Sequence, residues 1–196
     1  MKRYLKMVWF ILILGSLTSV VFVGMEIWTR PLIDANAANE LKSIVLSAND
    51  ISFNTGNISA VFDENVEIKE VGEYTFYVEK NSGRVSYQFS GGGVWGPIIG
   101  IITLESDKET IRQIRIMQQE ETPGLGGVVA DLKYLAKYVG IKIVPKIEIN
   151  IPDSSPNKPN EVDSITGATR TSKAFEQILN DSYADVQSAL AQLGGQ

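Results

Sequence analysis

The sequence predicts an α+β protein: a single N-terminal transmembrane helix, followed by an antiparallel-sheet domain with packed helices. Three observations predict it. Residues 8–24 carry no charge, apolar residues alternate with period two between residues 74 and 89, and an apolar stripe recurs at helical spacing over residues 171–193.

The chain has 196 residues, 44% of them apolar, which suits one domain of ordinary size plus a further segment. That segment is VWFILILGSLTSVVFVG, residues 8–24, extended to Trp28 with only Glu26 as an interruption. Its length spans a bilayer as a helix. Lys2, Arg3 and Lys6 precede it and the next basic residue is Arg30, an asymmetry that keeps the N-terminus cytoplasmic. The expected division is residues 1–30 as cytoplasmic N-terminus and transmembrane helix, and residues 31–196 as an extracytoplasmic domain on a single-pass cell-membrane protein. A cleaved signal peptide is the rival reading, with Ala35-Asn36-Ala37 as its small-residue triplet. Against it, the apolar run is long for a signal, and Met25, Ile27, Trp28 and Arg30-Pro31 separate the run from the triplet. Trp28 suits an interfacial anchor.

Lys2, Arg3, Lys6 and Glu26 aside, acidic residues outnumber basic ones by seven, so nucleic acid and anionic lipid are poor partners. The sequence holds no Cys and no His. Disulfides, iron–sulfur clusters, His-ligated haem and the usual zinc sites are thereby excluded, and no metal site is expected. If the chain carries electrons, an organic cofactor must hold them.

Leu32, Ile33, Ala37, Leu41, Ile44, Val45 and Ala48 recur at helical spacing, so the first helix continues or restarts to about Ser47, with Asn49-Asp50 as its end. Tyr74, Phe76 and Val78 alternate, Asn81-Ser82-Gly83 turns, and Val85, Tyr87 and Phe89 alternate again: a hairpin. The apolar runs at 98–104 and 111–117, separated by a turn at 106–108, predict two more antiparallel strands. A helix with Val128, Val129, Leu132, Leu135 and Val139 on one face is expected to stop at Gly140. Ile143, Ile147, Ile149 and Ile151 suit one or two strands, with Pro145 marking an edge or a break, and residues 152–160 form a polar surface loop. The last helix buries Phe175, Ile178, Leu179, Val186, Ala189, Leu190 and Leu193. Lys142 and Lys146 read as outward-facing strand charge.

The segment most suggestive of chemistry is Asp163-Ser164-Ile165-Thr166-Gly167-Ala168-Thr169-Arg170-Thr171, a small-residue turn feeding the last helix. Such a turn offers unpaired N–H groups and the positive end of a helix dipole, which stabilise a phosphate without a cationic side chain. Gly167 and Ala168 leave room for its approach, and Thr169 presents a hydroxyl there. Thr166, Thr169 and Thr171 are equally readable as capping and turn residues.

Asp-x-x-Thr-Gly-Ala-Thr resembles the flavinylation motif of the FMN-binding domain family, which includes the G subunit of Rnf complexes and the C subunit of sodium-translocating NADH:quinone reductases. In that motif a flavin transferase joins FMN to the last threonine by a phosphoester. The resemblance implies covalent FMN on Thr169, with Asp163, Thr166, Gly167, Ala168 and Thr171 around it. Glu121-Thr122-Pro123-Gly124-Leu125-Gly126 is similar to the family's loop near the flavin ring, implying roles for Glu121, Thr122, Gly124 and Leu125 in positioning the flavin. Gly91-Gly92-Gly93-Val94-Trp95-Gly96 is similar to the Gly-x-Gly-x-Trp loop of the C subunits and adds Trp95.

The residues alone leave blander readings beside these. Trp95 reads as a buried structural tryptophan on a Gly-rich turn, and Glu121 as a solvated or capping carboxylate. Asp163 serves either the transferase or its own turn. Many relatives carry a His before the Glu-Thr-Pro loop where this chain has Gln118, Gln119 and Glu120, so no role of that His transfers.

The resemblance implies a membrane-anchored electron-transfer subunit without turnover of its own, working with other subunits of a redox-driven, ion-translocating complex. The shortness of the chain leans toward the Rnf type, a ferredoxin:NAD oxidoreductase, and the Trp95 loop toward the quinone-reductase branch. A cofactor-free anchored assembly subunit, or a domain binding FMN reversibly, are the readings from other classes.

Overall fold

The computed structural model describes residues 2–193, so the last three residues of the expected domain lie outside it. The chain divides into two compact units, residues 1–40 and 41–196. Helix α1, Lys2–Ala48, begins in the first and ends in the second. Up to Glu40 its side chains are almost all exposed, Phe10, Leu17 and Phe22 among them. The helix is long and apolar enough to cross a membrane. It runs on through Pro31 without a restart. Of the expected amphipathic stripe only the last turns are covered: Ile44, Val45 and Ala48 are buried and Leu41 partly so, whereas Leu32 and Ile33 stay exposed. The end falls where Asn49-Asp50 predicts it, with Asp50 at φ 59 and Ile51 N–H donating back to Leu46 C=O.

The second unit is built on a five-stranded antiparallel sheet, β1 Val66–Val71, β2 Tyr74–Glu79, β3 Val85–Gly92, β4 Pro97–Leu104 and β5 Ile111–Gln118, in sequential order. The hairpin and the two following strands are as the alternation predicts, with Phe76 facing Tyr87, and Ile102 between Tyr87 and Ile114. Helix α2, Ile58–Asn65, and strand β1 have no counterpart in the sequence reading. Only Ile58 and Phe62 of α2 are buried, and of β1 only Val66, so neither carries enough apolar residues to show a period. Together with Leu41, Val45, Leu46 and Tyr77 they form a small second core.

The main core lies on the other face, under helix α4, Thr169–Gln192. Its stripe is as predicted: Phe175, Ile178, Leu179, Val186, Ala189 and Leu190 are buried against Phe76, Tyr87, Phe89, Ile98 and Ile102. Gly91 is required for this contact, since a Cβ there would stand 2.5 Å from Ile178 Cγ1. The polar side of α4 is also engaged: Asn180 exchanges two hydrogen bonds with the backbone of Ile147, and Glu176 accepts from Ile149 N–H.

One expectation is corrected. The predicted helix over residues 128–139 is broken into a 3-10 turn Gly126–Ala130, a single turn α3 Leu132–Leu135, and a second 3-10 turn Ala136–Tyr138. Val129 and Leu135 are buried, but Leu132 and Val139 are 61% and 51% exposed. Tyr134 and Tyr138 occupy the inner face in their place, edge to face at 5.6 Å with hydroxyls 2.9 Å apart, and Tyr138 packs on Phe175. The larger rings win the core, and extended Asp131 separates the turns.

Residues 141–151 hold one strand, β6 Glu148–Asn150, within the one or two expected and beyond the break that Pro145 marks. Ile143, Ile147 and Ile149 are buried as alternation predicts, while Ile151, beyond the strand, is 71% exposed. Strand β6 pairs in parallel with β7 Glu161–Asp163, forming a small separate sheet. The polar loop 152–160 is the crossover that a parallel pair needs.

Phe175 touches both Phe89 and Tyr138, at ring separations of 6.1 and 5.7 Å. Phe175→Ala is expected to destabilise the full chain in detergent by about 3–5 kcal/mol, read by denaturant titration with circular dichroism. The Asp107 carboxylate accepts from the N–H groups of Glu109 and Thr110 and from the Thr110 hydroxyl. Burial pushes its pKa up, but the Thr110 and Glu109 hydrogen bonds outweigh that and hold it below 3.8. A lowered folded value means stabilisation present above 3.8 and lost as pH falls through the folded value. Asp107→Asn should therefore lower the melting temperature at pH 7, and thermal scans should show the difference closing under acid.

Candidate functional site

Three segments distant in sequence converge at the start of α4. The first is the Gly-rich loop between β3 and β4, closed by Gly93 N–H donating to Gly96 C=O at 2.8 Å. The second follows β5: the C=O of Thr122 accepts from Leu125 and Gly127 N–H, and Gly124 adopts φ +75 to make the turn. The third is the turn into α4, where Ala168 N–H donates to Ile165 C=O and Gly167 sits at φ +79.

Glu121 ties them together. One carboxylate oxygen accepts from Val94 N–H at 2.7 Å and Trp95 N–H at 3.0 Å, and the other accepts from the Thr171 hydroxyl at 2.7 Å. The side chain is 3% exposed, and no cation pairs with it among the described residues. Two glycines make room for it. A Cβ at Gly93 would lie 2.5 Å from Oε1, and one at Gly126 would lie 2.5 Å from Oε2 and 2.6 Å from Thr171 Oγ1. The reading of Glu121 as a solvated carboxylate is thus corrected: it is a buried acceptor, and the glycines are small because the carboxylate is there.

The residues singled out from the sequence fall into an exposed and a buried set. Exposed are Thr122, Gly124, Leu125, Thr166, Gly167 and Thr169. Trp95 joins them at 72% exposure, which corrects its reading as a buried structural residue. Leu125 lies over Gly167, whose Cβ would stand 3.5 Å from Leu125 Cδ2. Buried beneath are Glu121, Thr171 and Ala168, so Thr171 and Ala168 present no side chain to a ligand from solvent. Asp163 is drawn aside, accepting from Asn157 and from Lys137, each at 3.2 Å. These two hydrogen bonds, Asn157 first, hold its carboxyl below the usual range against a smaller opposing effect of burial.

The head of α4 has no side-chain cap: Ala168 occupies the N-cap position, and Ser172 N–H is the first to bond back, to Ala168 C=O. Thr171 bonds to Glu121, and Ser172 Oγ accepts from Ile165 N–H while donating to Ala168 C=O. The capping reading of Thr166 and Thr169 therefore finds no hydrogen bond to support it among the described residues, and the first-turn N–H groups are left for an anion. Arg170, not singled out from the sequence, is exposed beside Thr169 with no ion pair among the described residues. An exposed hydroxyl, an uncapped helix N-terminus, a positive-φ glycine and a free guanidinium suit a phosphate group, while Trp95 and Leu125 offer apolar surface for a ring system.

Residues 93–184 match the family described as FMN-binding domain. The C subunit of the Na(+)-translocating NADH-quinone reductase of Neisseria meningitidis is 30% identical over 123 residues, covering 58% of this chain and 48% of that protein. Its counterpart from Vibrio vulnificus is 27% identical over 162 residues, covering 78% and 62%. The chain thus spans about half the length of the first of these relatives and less than two thirds of the second. Among solved structures, the C subunit of the Parabacteroides distasonis reductase superposes with a TM-score of 0.70 at 22% identity, over 82% of this chain and 96% of that one. Shewanella oneidensis NqrC gives 0.70 at 18%, over 83% and 100%. The protein has an α+β fold shared with these relatives, and the stretch matching an FMN-binding domain contains all three converging segments.

Proposed function

We propose that this chain is a membrane-anchored electron carrier that holds FMN through a phosphoester on Thr169, in a redox-driven ion-translocating complex. The observation that carries the reading is the head of α4, where the exposed Thr169 hydroxyl stands at an uncapped helix N-terminus beside Gly167. The first-turn N–H groups and Arg170 would hold the phosphate. Trp95, Leu125, Thr122 and Gly124 would border the ring. Once attached, FMN supplies reversible uptake of one or two electrons, and the protein supplies its position. Covalent attachment prevents loss of the flavin outside the cytoplasm, and a flavin transferase is the partner that maturation needs. No general acid or base is required of this chain.

The proposed topology keeps residues 1–30 as cytoplasmic N-terminus and membrane span, with residues 31–196 outside. The charge asymmetry of Lys2, Arg3 and Lys6 supports it. The complex is proposed to be of the Rnf type. A second reading, the C subunit of a sodium-translocating NADH:quinone reductase, is favoured by the names of the relatives above. The proteins that co-purify separate the two.

Protein made together with a flavin transferase is expected to carry the mass of FMN on the peptide containing Thr169, and in-gel flavin fluorescence. Thr169→Ala should abolish both while leaving the circular dichroism melt unchanged. An unmodified wild-type chain would favour the cofactor-free assembly subunit, and flavin released on denaturation would favour reversible binding. The absence of cysteine permits a topology test. Ser155→Cys, in the exposed loop 152–160, should react with an impermeant maleimide added to intact spheroplasts; labelling only after lysis refutes the orientation.

A further inference from the structure

Glu121 raises a question that attachment at Thr169 leaves open: why a carboxylate, rather than a neutral amide, is buried beneath the exposed set. Its three hydrogen bonds come from two backbone N–H groups and a hydroxyl, with no cation to balance the charge among the described residues. The border residues are chained to it closely. Trp95 donates its N–H to the carboxylate, Thr122 is the next residue in sequence, and Thr171, which donates its hydroxyl, shares the first turn of α4 with Thr169. A charge that is 3% exposed and unpaired is poorly screened, so its field reaches any group seated above.

We propose that Glu121, beyond the flavin-positioning role that the resemblance implies, holds the flavin's reduction potential below the value a neutral residue would give, through its fixed negative charge. The inference rests on the function proposed above. The geometric part follows from the clasp: the same carboxylate holds the backbone of Trp95 in the Gly-rich loop and the Thr171 hydroxyl in the first turn of α4. The electrostatic part follows from charge balance. Above neutral pH, reduction of the ring adds two electrons from the reductant and one proton from solvent, which leaves one net negative charge on it. A buried carboxylate nearby opposes that step.

The test uses the full chain, flavinylated in cells and purified in detergent, with the midpoint potential of the attached flavin measured spectroelectrochemically at pH 8. Glu121→Gln keeps the shape and removes the charge. The expected result is attached flavin with a midpoint shifted to more positive potential. Thr171→Ser, which retains the hydroxyl donor, should match wild type in potential and in anisotropy of flavin fluorescence. A purely structural role would lower the melting temperature of Glu121→Gln and leave the potential where it was, and that result overturns the inference. Should Glu121→Gln fail to fold or to take flavin, Thr171→Val decides. It keeps the charge and removes one donor that offsets it, so a midpoint shifted to more negative potential supports the inference, and an unchanged or more positive midpoint overturns it. Wild-type chain without attached flavin overturns the proposed function and this inference with it; attached flavin with an unmoved potential in Glu121→Gln overturns the inference alone.

Discussion

The site depends on one buried carboxylate. Loops on their own settle into many conformations, and the order found here has to come from contacts that restrict them. Glu121 does this with three hydrogen bonds that join the loop after β3, the loop after β5 and the first turn of α4. These three donors satisfy the buried carboxylate, which is why a charge without a cation is tolerated there. Gly93 and Gly126 are the complement of that choice, since a methyl group at either would collide with the carboxylate.

The second constraint is the double use of α4. Along its length it is the principal helix of the core, with Phe175, Ile178, Leu179, Val186 and Leu190 seated on the sheet. Its first turn is at the same time the anion-ready end that presents Thr169. Asn180 and Glu176 extend the hold to the backbone of Ile147 and Ile149, so the helix is fixed on its polar side as well. A helix secured at so many points keeps its N-terminus in a constant place, the condition for a site built at a helix end.

Much of this was legible in the sequence where one pattern extends over enough residues. The alternation of Tyr74 to Phe89 and the stripe of α4 are long and regular, and Asn49-Asp50 stops its helix as turn chemistry predicts. What escaped is short or non-local. Helix α2 shows only Ile58 and Phe62, and β1 only Val66, as buried residues. Residues 128–139 carry apolar residues at helical spacing, yet Tyr134 and Tyr138 claim the core through Phe175, a residue far along the chain. Of the site, Thr169, Gly167, Thr122 and Leu125 lie on the surface. The burial of Glu121 and the exposure of Trp95 did not show, because the carboxylate's partners are 26, 27 and 50 residues away, and no local period encodes a contact of that kind.

That wide separation in sequence also orders events in time. The surface around Thr169 is assembled from segments that meet only once the sheet has formed and α4 has docked on it, so a nascent or unfolded chain displays the threonine without its surroundings. An enzyme that recognises the assembled surface must act on a folded substrate. Under the topology and attachment proposed above, export would come first, folding second and esterification of Thr169 last.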